Sequence, residues 1–221
     1  MDEKILQKIS KGREYRNMTV EVAEYEDEKI VRGYATTFEQ PYDLYSFKDK
    51  DGARHVVREQ VARDAFRDTD MGDVIMQYDH QGRVFARQSN GTLRLNIDEH
   101  GLEVTASLGG TTLGRQLYEE IAGGYTNKMS FGFTVADDNI VPDGTDYLRT
   151  IRSIGRLFDV SAVSIPANDA TEISARSHCD GVIAEIEAER LRAEEEEQRR
   201  QAEREELLRR IQALKGEEHG N

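Results

Sequence analysis

From Thr19 to Ile165 the chain is mostly short runs in which apolar and polar residues alternate, broken by clusters of Gly, Asp, Glu and Asn. A period of two is the signature of a strand with one buried face. Thr19 to Ala23 and Ile30 to Phe38 read as strands, separated by Glu26-Asp27-Glu28, and Val74 to Tyr78 as a third. Leu93 to Ile97 and Leu102 to Ala106 flank Asp98-Glu99-His100-Gly101 and predict a hairpin. Met129 to Val135, Tyr147 to Ile151 and Leu157 to Ile165 complete the set. Two helices interrupt it. Arg58 to Phe66 reads as amphipathic through Val61, Ala62, Ala65 and Phe66, and Leu113 to Ala122 has a threonine cap (Thr111 or Thr112) and stops at Gly123. The expected fold is mainly β (α+β): a closed antiparallel β-barrel of about seven strands with a few peripheral helices.

The two ends follow a different rule. Met1 to Arg16 is polar and helix-prone, and reads as a leader. From Glu185 onward Ala, Glu, Arg, Leu and Gln dominate, which predicts one long charged C-terminal helix. Its apolar positions are sparse at Ile183, Ile186 and Ala193, then recur at helical spacing as Leu207, Leu208, Ile211 and Leu214. Such a helix is solvated, or pairs only through its last turns. The expected organisation is a leader (1–16), a barrel domain (17–178) and a helical tail (179–221).

Composition narrows the function classes. The 221 residues carry 30 Lys and Arg against 43 Asp and Glu, a formal charge of −13, which disfavours a nucleic-acid groove. Apolar runs are strand-sized and Met1-Asp-Glu-Lys-Ile-Leu6 is no signal region, so membrane and secreted readings are not expected. A single cysteine, Cys179, excludes an internal disulfide framework and a cysteine-rich zinc site. These features describe a soluble acidic protein of a reducing compartment.

The candidate chemistry begins at Lys128-Met-Ser-Phe-Gly-Phe-Thr-Val135. Alternation puts Met129, Phe131, Phe133 and Val135 on one face and Ser130, Gly132 and Thr134 on the other, so small residues flank a hydroxyl and leave room for a substrate chain. The plain alternative is a strand with a polar outer face. His80 ends the Val74 strand, where alternation sets it on the Val74, Met76 and Tyr78 face. It is a candidate general base or, alternatively, a histidine at a turn. Asp159 stands inside an apolar strand, where burial requires a partner, either Arg156 or a histidine. An Asp159–His80–Ser130 relay meets that requirement.

His55, His100, His178 and His219 show no metal-ligand spacing, and neither a metal nor a cofactor is expected. Gly109-Gly110-Thr111-Thr112 lacks a phosphate-loop lysine and reads as a helix cap. Cys179 beside His178 points away from it on an extended chain. The acids at Asp137, Asp138, Asp143 and Asp146 lack calcium-loop spacing.

Six blocks stand in order: Val31-Arg-Gly-Tyr-Ala35, Gln77-Tyr-Asp-His80, Gly101-Leu-Glu-Val104, Thr112-Leu-Gly-Arg-Gln-Leu-Tyr118, Met129-Ser-Phe-Gly-Phe133 and Asp159-Val-Ser-Ala-Val-Ser-Ile-Pro-Ala-Asn168. Together they resemble the prohead (capsid-maturation) serine proteases of tailed bacteriophages, a family related in fold to the herpesvirus assemblin proteases. The resemblance covers Val20 to Ala175. It implies a serine endopeptidase that cuts scaffolding protein, or the scaffolding segment of the major capsid protein, and itself. The implied setting is the procapsid in the host cytoplasm, with capsid and scaffold proteins as partners alongside self-association, and with no nucleic acid or membrane. Carried over, the family's nucleophile falls on Ser130, its histidine on His80 and its acidic residue on Asp159. The same resemblance makes Arg152 and Arg156 candidates for oxyanion stabilisation, with Gly132 beside the nucleophile. The competing reading is a catalytically silent assembly or scaffolding protein that keeps the protease fold.

Overall fold

The computed structural model describes residues 13–19, 23–25, 29–164 and 169–217. Contacts divide the chain into two units, Met1–Ser177 and His178–Asn221. Among the described residues the first unit contains β1 (Arg13–Thr19), β2 (Ala23–Tyr25), β3 (Ile30–Thr37), β4 (Tyr42–Lys48), β5 (Arg54–Val61), β6 (Ile75–Tyr78) and β7 (Gln81–Arg87). It continues with β8 (Leu93–Ile97), β9 (Gly101–Ser107), helix α1 (Thr112–Ala122), β10 (Lys128–Asp143) and β11 (Asp146–Val163). Helix α2 (Asp169–Glu217) follows.

The strands form two sheets. One runs β2-β3-β9-β8, all antiparallel; the other runs β1-β10-β11-β5-β4, with β6 also joined to β11 and β7 joined to β6. Strand β11 pairs in parallel with β5 at Tyr147–Ile151 and again in parallel with β6 at Asp159–Ala162. The fold is therefore mainly β, as the alternation implies, but the described pairings give a mixed sheet beside an antiparallel one rather than one closed antiparallel barrel. The cause is the length of β11. Tyr147 to Ile151 and Leu157 to Ile165, which read as separate strands, are up to Val163 one strand long enough to take two parallel neighbours in tandem, residue 165 lying outside the described residues.

That ribbon is bent. The β10–β11 register shifts at Gly132/Phe133, Thr134/Val135, Val135/Asp137 and Asp137/Asp138, and each extra residue adds local twist. The inner faces bury Val31, Leu102, Val104, Phe131, Phe133 and Val160 in one apolar core. Helix α1 adds Leu117, Tyr118 and Ile121. Its cap is Thr111, whose hydroxyl accepts from the Gly114 amide at 2.9 Å. A Cβ at Gly114 would lie 2.2 Å from the Leu108 carbonyl oxygen, so only glycine fits there.

Two sequence expectations fail for one reason. Arg58 to Phe66 is no helix: β5 runs to Val61 and turns follow. Strand β1 starts at Arg13, inside the stretch that reads as helix-prone; residues 1–12 of that leader lie outside the described residues, as do residues 20–22 of the Thr19–Ala23 strand and His219. In both strands charged residues occupy core-facing positions. Glu14, Arg16, Glu59 and Arg149 are all buried. Arg16 binds Glu14 and Glu59, Arg149 Nη1 reaches Glu14 Oε2 and Glu59 Oε2 at 2.8 Å each, and Tyr42 donates to Glu59 Oε1 at 2.5 Å. Asp138 accepts from Arg149 Nε at 2.6 Å. Burial by itself would raise the Glu59 pKa, but the Arg16 and Arg149 charges outweigh it and hold it below the ordinary 4.5. Burial works against a charged Arg16 as well, yet Glu59 raises its pKa above the ordinary value. The phenol of Tyr42 is pushed well above 10.0 by burial and by the Glu59 charge.

In α2 the described side chains from Glu189 onward are exposed and include pairs such as Arg200–Glu197 at 2.9 Å and Arg190–Glu194 at 3.5 Å. Leu207 and Leu208 are exposed; the side chains of Ile211 and Leu214 lie outside the described residues. Among the described residues no helix is long and apolar enough to cross a membrane.

Candidate active site

Ser130 sits on β10 between β1 and β11, opposite Asn17 on one side and Ser161 on the other. Two residues along, Gly132 faces Tyr15 and Asp159. Residues opposite one another in a ladder share a face, so Ser130, Gly132, Ser161 and Asp159 lie together on the side away from Phe131 and Val160. A bulge makes this possible. Gly132 pairs with Asp159 and Phe133 with Leu157, leaving Phe158 as an extra residue. Without it, strict alternation would give Leu157 and Asp159 one face and force the carboxylate into the core. With it, Leu157 and Val160 are both buried among apolar side chains while Asp159 stays beside Ser130.

His80 arrives from the β6–β7 turn. Tyr78 pairs with Gln81, so Asp79 and His80 form a two-residue loop, with φ of 48° and 56°. Positive φ at both central positions is the I′ geometry that matches strand twist, although each such non-glycine residue costs about 1–2 kcal/mol. The turn changes where the imidazole goes. Alternation places His80 with Met76 and Tyr78 on the core face; the left-handed turn carries it instead to the Ser130 face, which Ile75 and Gln77 share through their pairing with Asp159 and Ser161.

There the ring bridges two groups. His80 Nδ1 lies 2.5 Å from Asp159 Oδ2, and His80 Nε2 lies 2.6 Å from Ser130 Oγ. With Asp159 as a carboxylate, Nδ1–H donates to it and Nε2 accepts from the serine hydroxyl. Ser161 Oγ donates to the same Asp159 oxygen at 3.0 Å. Asp159 is 2% exposed and Ser130 0%, so both depend on these bonds in place of water. The Tyr15 ring packs on the imidazole, with centroids 4.2 Å apart. Gly132 is required by space: a Cβ there would lie 2.5 Å from Asp159 Oδ1 and 2.7 Å from Tyr15 Cε1.

The two candidate arginines lie elsewhere in the bonding pattern. Arg152 pairs with Asp137 at 2.9 Å and Arg156 with Asp70 at 3.5 Å, all four side chains about half exposed. Of the two partners open to Asp159, the structure joins it to the histidine. Ser161 and Tyr15 carry no signal of their own in the sequence. Ser161 is legible only as the i+2 neighbour of Asp159, and Tyr15 arrives through a strand pairing more than a hundred residues away. Other candidates have partners of their own: His55 Nε2 meets Asp49 at 3.1 Å, His100 packs edge-on to Tyr34 with centroids 4.7 Å apart, and Asp143 accepts from Arg58 at 2.7 Å.

A buried serine and a buried aspartate joined through a half-buried histidine in hydrogen-bonded series is the constellation of acyl-transfer hydrolases. Comparison with known proteins adds an independent finding: the model of the caudovirus prohead serine proteases matches residues 16–182. The chain belongs to the caudovirus prohead serine protease family. The match spans the sheets, both bulged strands and the start of α2, so the serine, the histidine and the aspartate all lie inside it. The family is that of the phage prohead serine proteases, which sets this chain among the proteins of capsid maturation. Searches of curated proteins and of solved structures returned no match.

Proposed function

We propose that this family member is an active endopeptidase in which Ser130 is the nucleophile, His80 the general base and Asp159 the residue that orients it. Ser130 Oγ attacks the scissile carbonyl carbon as His80 Nε2 takes its proton. The tetrahedral intermediate collapses, His80 returns the proton to the leaving amine, and an acyl-Ser130 ester remains. Water, activated by the same imidazole, hydrolyses the ester and regenerates the serine. Asp159 holds the Nδ1–H tautomer and stabilises the imidazolium. The observation that supports this reading is the pair of bonds on opposite sides of one ring, Ser130 on Nε2 and Asp159 on Nδ1.

The proposed substrates are the scaffolding protein or the scaffolding segment of the major capsid protein, and the enzyme itself, inside the procapsid in the host cytoplasm. Co-expression with the capsid and scaffold proteins tests this on a gel: the wild type processes them, while Ser130→Ala and His80→Ala do not and still fold. Processing by Ser130→Ala would remove the serine from the mechanism.

One observation favours the second reading, a silent assembly protein: Ser130 has no exposed surface, so a peptide reaches Oγ only after the side chains around it part. A fluorophosphonate that labels the wild type at Ser130 excludes that reading. Absence of both labelling and processing establishes it.

A further inference from the structure

The geometry of the β6–β7 turn assigns a role to a residue outside the serine–histidine–aspartate set: we infer that Asp79 is the positioning residue that aims His80. The turn gives His80 its direction only because two consecutive non-glycine residues hold left-handed backbone angles, φ 48° at Asp79 and 56° at His80. Aspartate tolerates this region better than most residues, but tolerance does not select it. Selection comes from outside the turn. The Asp79 amide donates to the Ala162 carbonyl at 3.0 Å, extending the β6–β11 ladder by one step. Its carboxylate then accepts twice from a single residue, from the Ser164 amide at 2.9 Å and from the Ser164 hydroxyl at 2.8 Å.

Ser164 directly follows β11, the strand that carries Asp159 and Ser161. The clasp therefore ties the strand that presents the acid to the turn that presents the base, on the far side of the imidazole from Tyr15's strand. Every bond in it is local to residues 78–80 and 162–164, so it adds nothing to the apolar core. What it fixes is the approach of His80 to two atoms at once, Asp159 Oδ2 and Ser130 Oγ. An imidazole free to swing by about 1 Å loses one of the two bonds, and misplacement of that size costs about 10²-fold in rate.

This inference rests on the proposed role of His80, and its test separates the two. Four variants of the full chain are compared: Asp79→Gly keeps the left-handed backbone and deletes the clasp; Asp79→Asn keeps an acceptor oxygen; Asp79→Ala loses both backbone tolerance and clasp; Ser164→Ala removes one of the two donors. Two readouts are taken, the rate at which a p-nitrophenyl ester acylates Ser130 with release of p-nitrophenolate, and the Nδ1–H resonance of ring-¹⁵N-labelled histidine. The expected result is a drop of about 10²-fold in acylation for Asp79→Gly with its melting temperature nearly unchanged, together with loss or displacement of the His80 Nδ1–H resonance. Asp79→Asn should restore both to within about threefold, and Ser164→Ala should fall between. Wild-type acylation and an unmoved resonance in Asp79→Gly would overturn the inference. If the wild type itself never reacts at Ser130, the proteolytic reading fails, and the resonance alone still decides whether Asp79 directs His80.

Discussion

Gly132→Ala is the most demanding test of the site, because the added carbon has nowhere to go without disturbing it. An ideal Cβ at residue 132 would lie 2.5 Å from Asp159 Oδ1 and 2.7 Å from Tyr15 Cε1, where ordinary contact begins near 3.4 Å. Both obstacles pack on His80 or bond to it, Asp159 at 2.5 Å and Tyr15 at a centroid separation of 4.2 Å. Relief requires both to give way, Asp159 by about 1 Å, which stretches the Asp159–His80 bond to the limit of hydrogen bonding. The expected loss is about 10²-fold in acylation rate, with the roughly 10⁴-fold loss of a mis-set triad acid as the ceiling. Overpacking adds about 1–3 kcal/mol of destabilisation, seen as about 2–4 °C in Tm for each kcal/mol. Gly155→Ala is the matched control: its Cβ would meet the rotatable Thr134 hydroxyl at 3.2 Å, and it should leave acylation within about threefold. Acylation by the same p-nitrophenyl ester, read by mass spectrometry, beside a thermal melt, measures both. A Gly132→Ala protein with wild-type labelling and Tm would refute the argument that Gly132 is there to make room for Asp159 and Tyr15.

Three further outcomes follow from the same contacts. Glu59→Gln should destabilise the fold by about 3–5 kcal/mol in denaturant titration, since it takes from the buried Arg16 and Arg149 one of the two carboxylates they share, the other being Glu14. Because Glu59 titrates below its ordinary 4.5 in the folded state, its stabilisation is complete above that pH and lost as pH falls through the lowered value; the variant's acid-unfolding curve should be flatter there. Arg152→Ala and Arg156→Ala remove exposed pairs and should each change stability by less than about 1 kcal/mol; a loss of processing of 10²-fold or more in either would restore an oxyanion role to that arginine. Truncation before Glu185 should leave peptide hydrolysis intact and reduce incorporation into proheads, read by immunoblot of purified particles; normal incorporation would mean the exposed helix has no docking role.

How far the sequence could be read depended on where charge sits. Strands with apolar inner faces were legible, among them Ile30 to Phe38, Val74 to Tyr78 and the Leu93–Ala106 hairpin. So was α1, through its threonine cap and glycine stop. Strands β1 and β5 were not, because Glu14, Arg16 and Glu59 stand where alternation expects apolar residues, and the compensating charges come from distant positions. At the site, Ser130 and Asp159 could be singled out as polar residues in apolar strands. The face on which His80 emerges could not, since period two carries no information through a left-handed turn. Nor could the bulge at Phe158, which depends on what lies opposite.

The bulged β10–β11 ribbon also sets a clock. Synthesis runs from the N-terminus, so His80 and Ser130 both exist before Asp159, and β11 is the last strand of the sheet to be made. At translation speeds of about 5–20 residues per second, on the order of 4–17 s separate His80 from Ser164, the residue that clasps its turn. Between the making of Ser130 and that of Asp159 the nascent chain holds a histidine and a serine with neither the acid bonded to the imidazole nor the complete strand that pairs with both of their strands. Until β11 has been made, a chain on the ribosome lacks the set proposed to cut peptides, and that delay is written into the order of its strands.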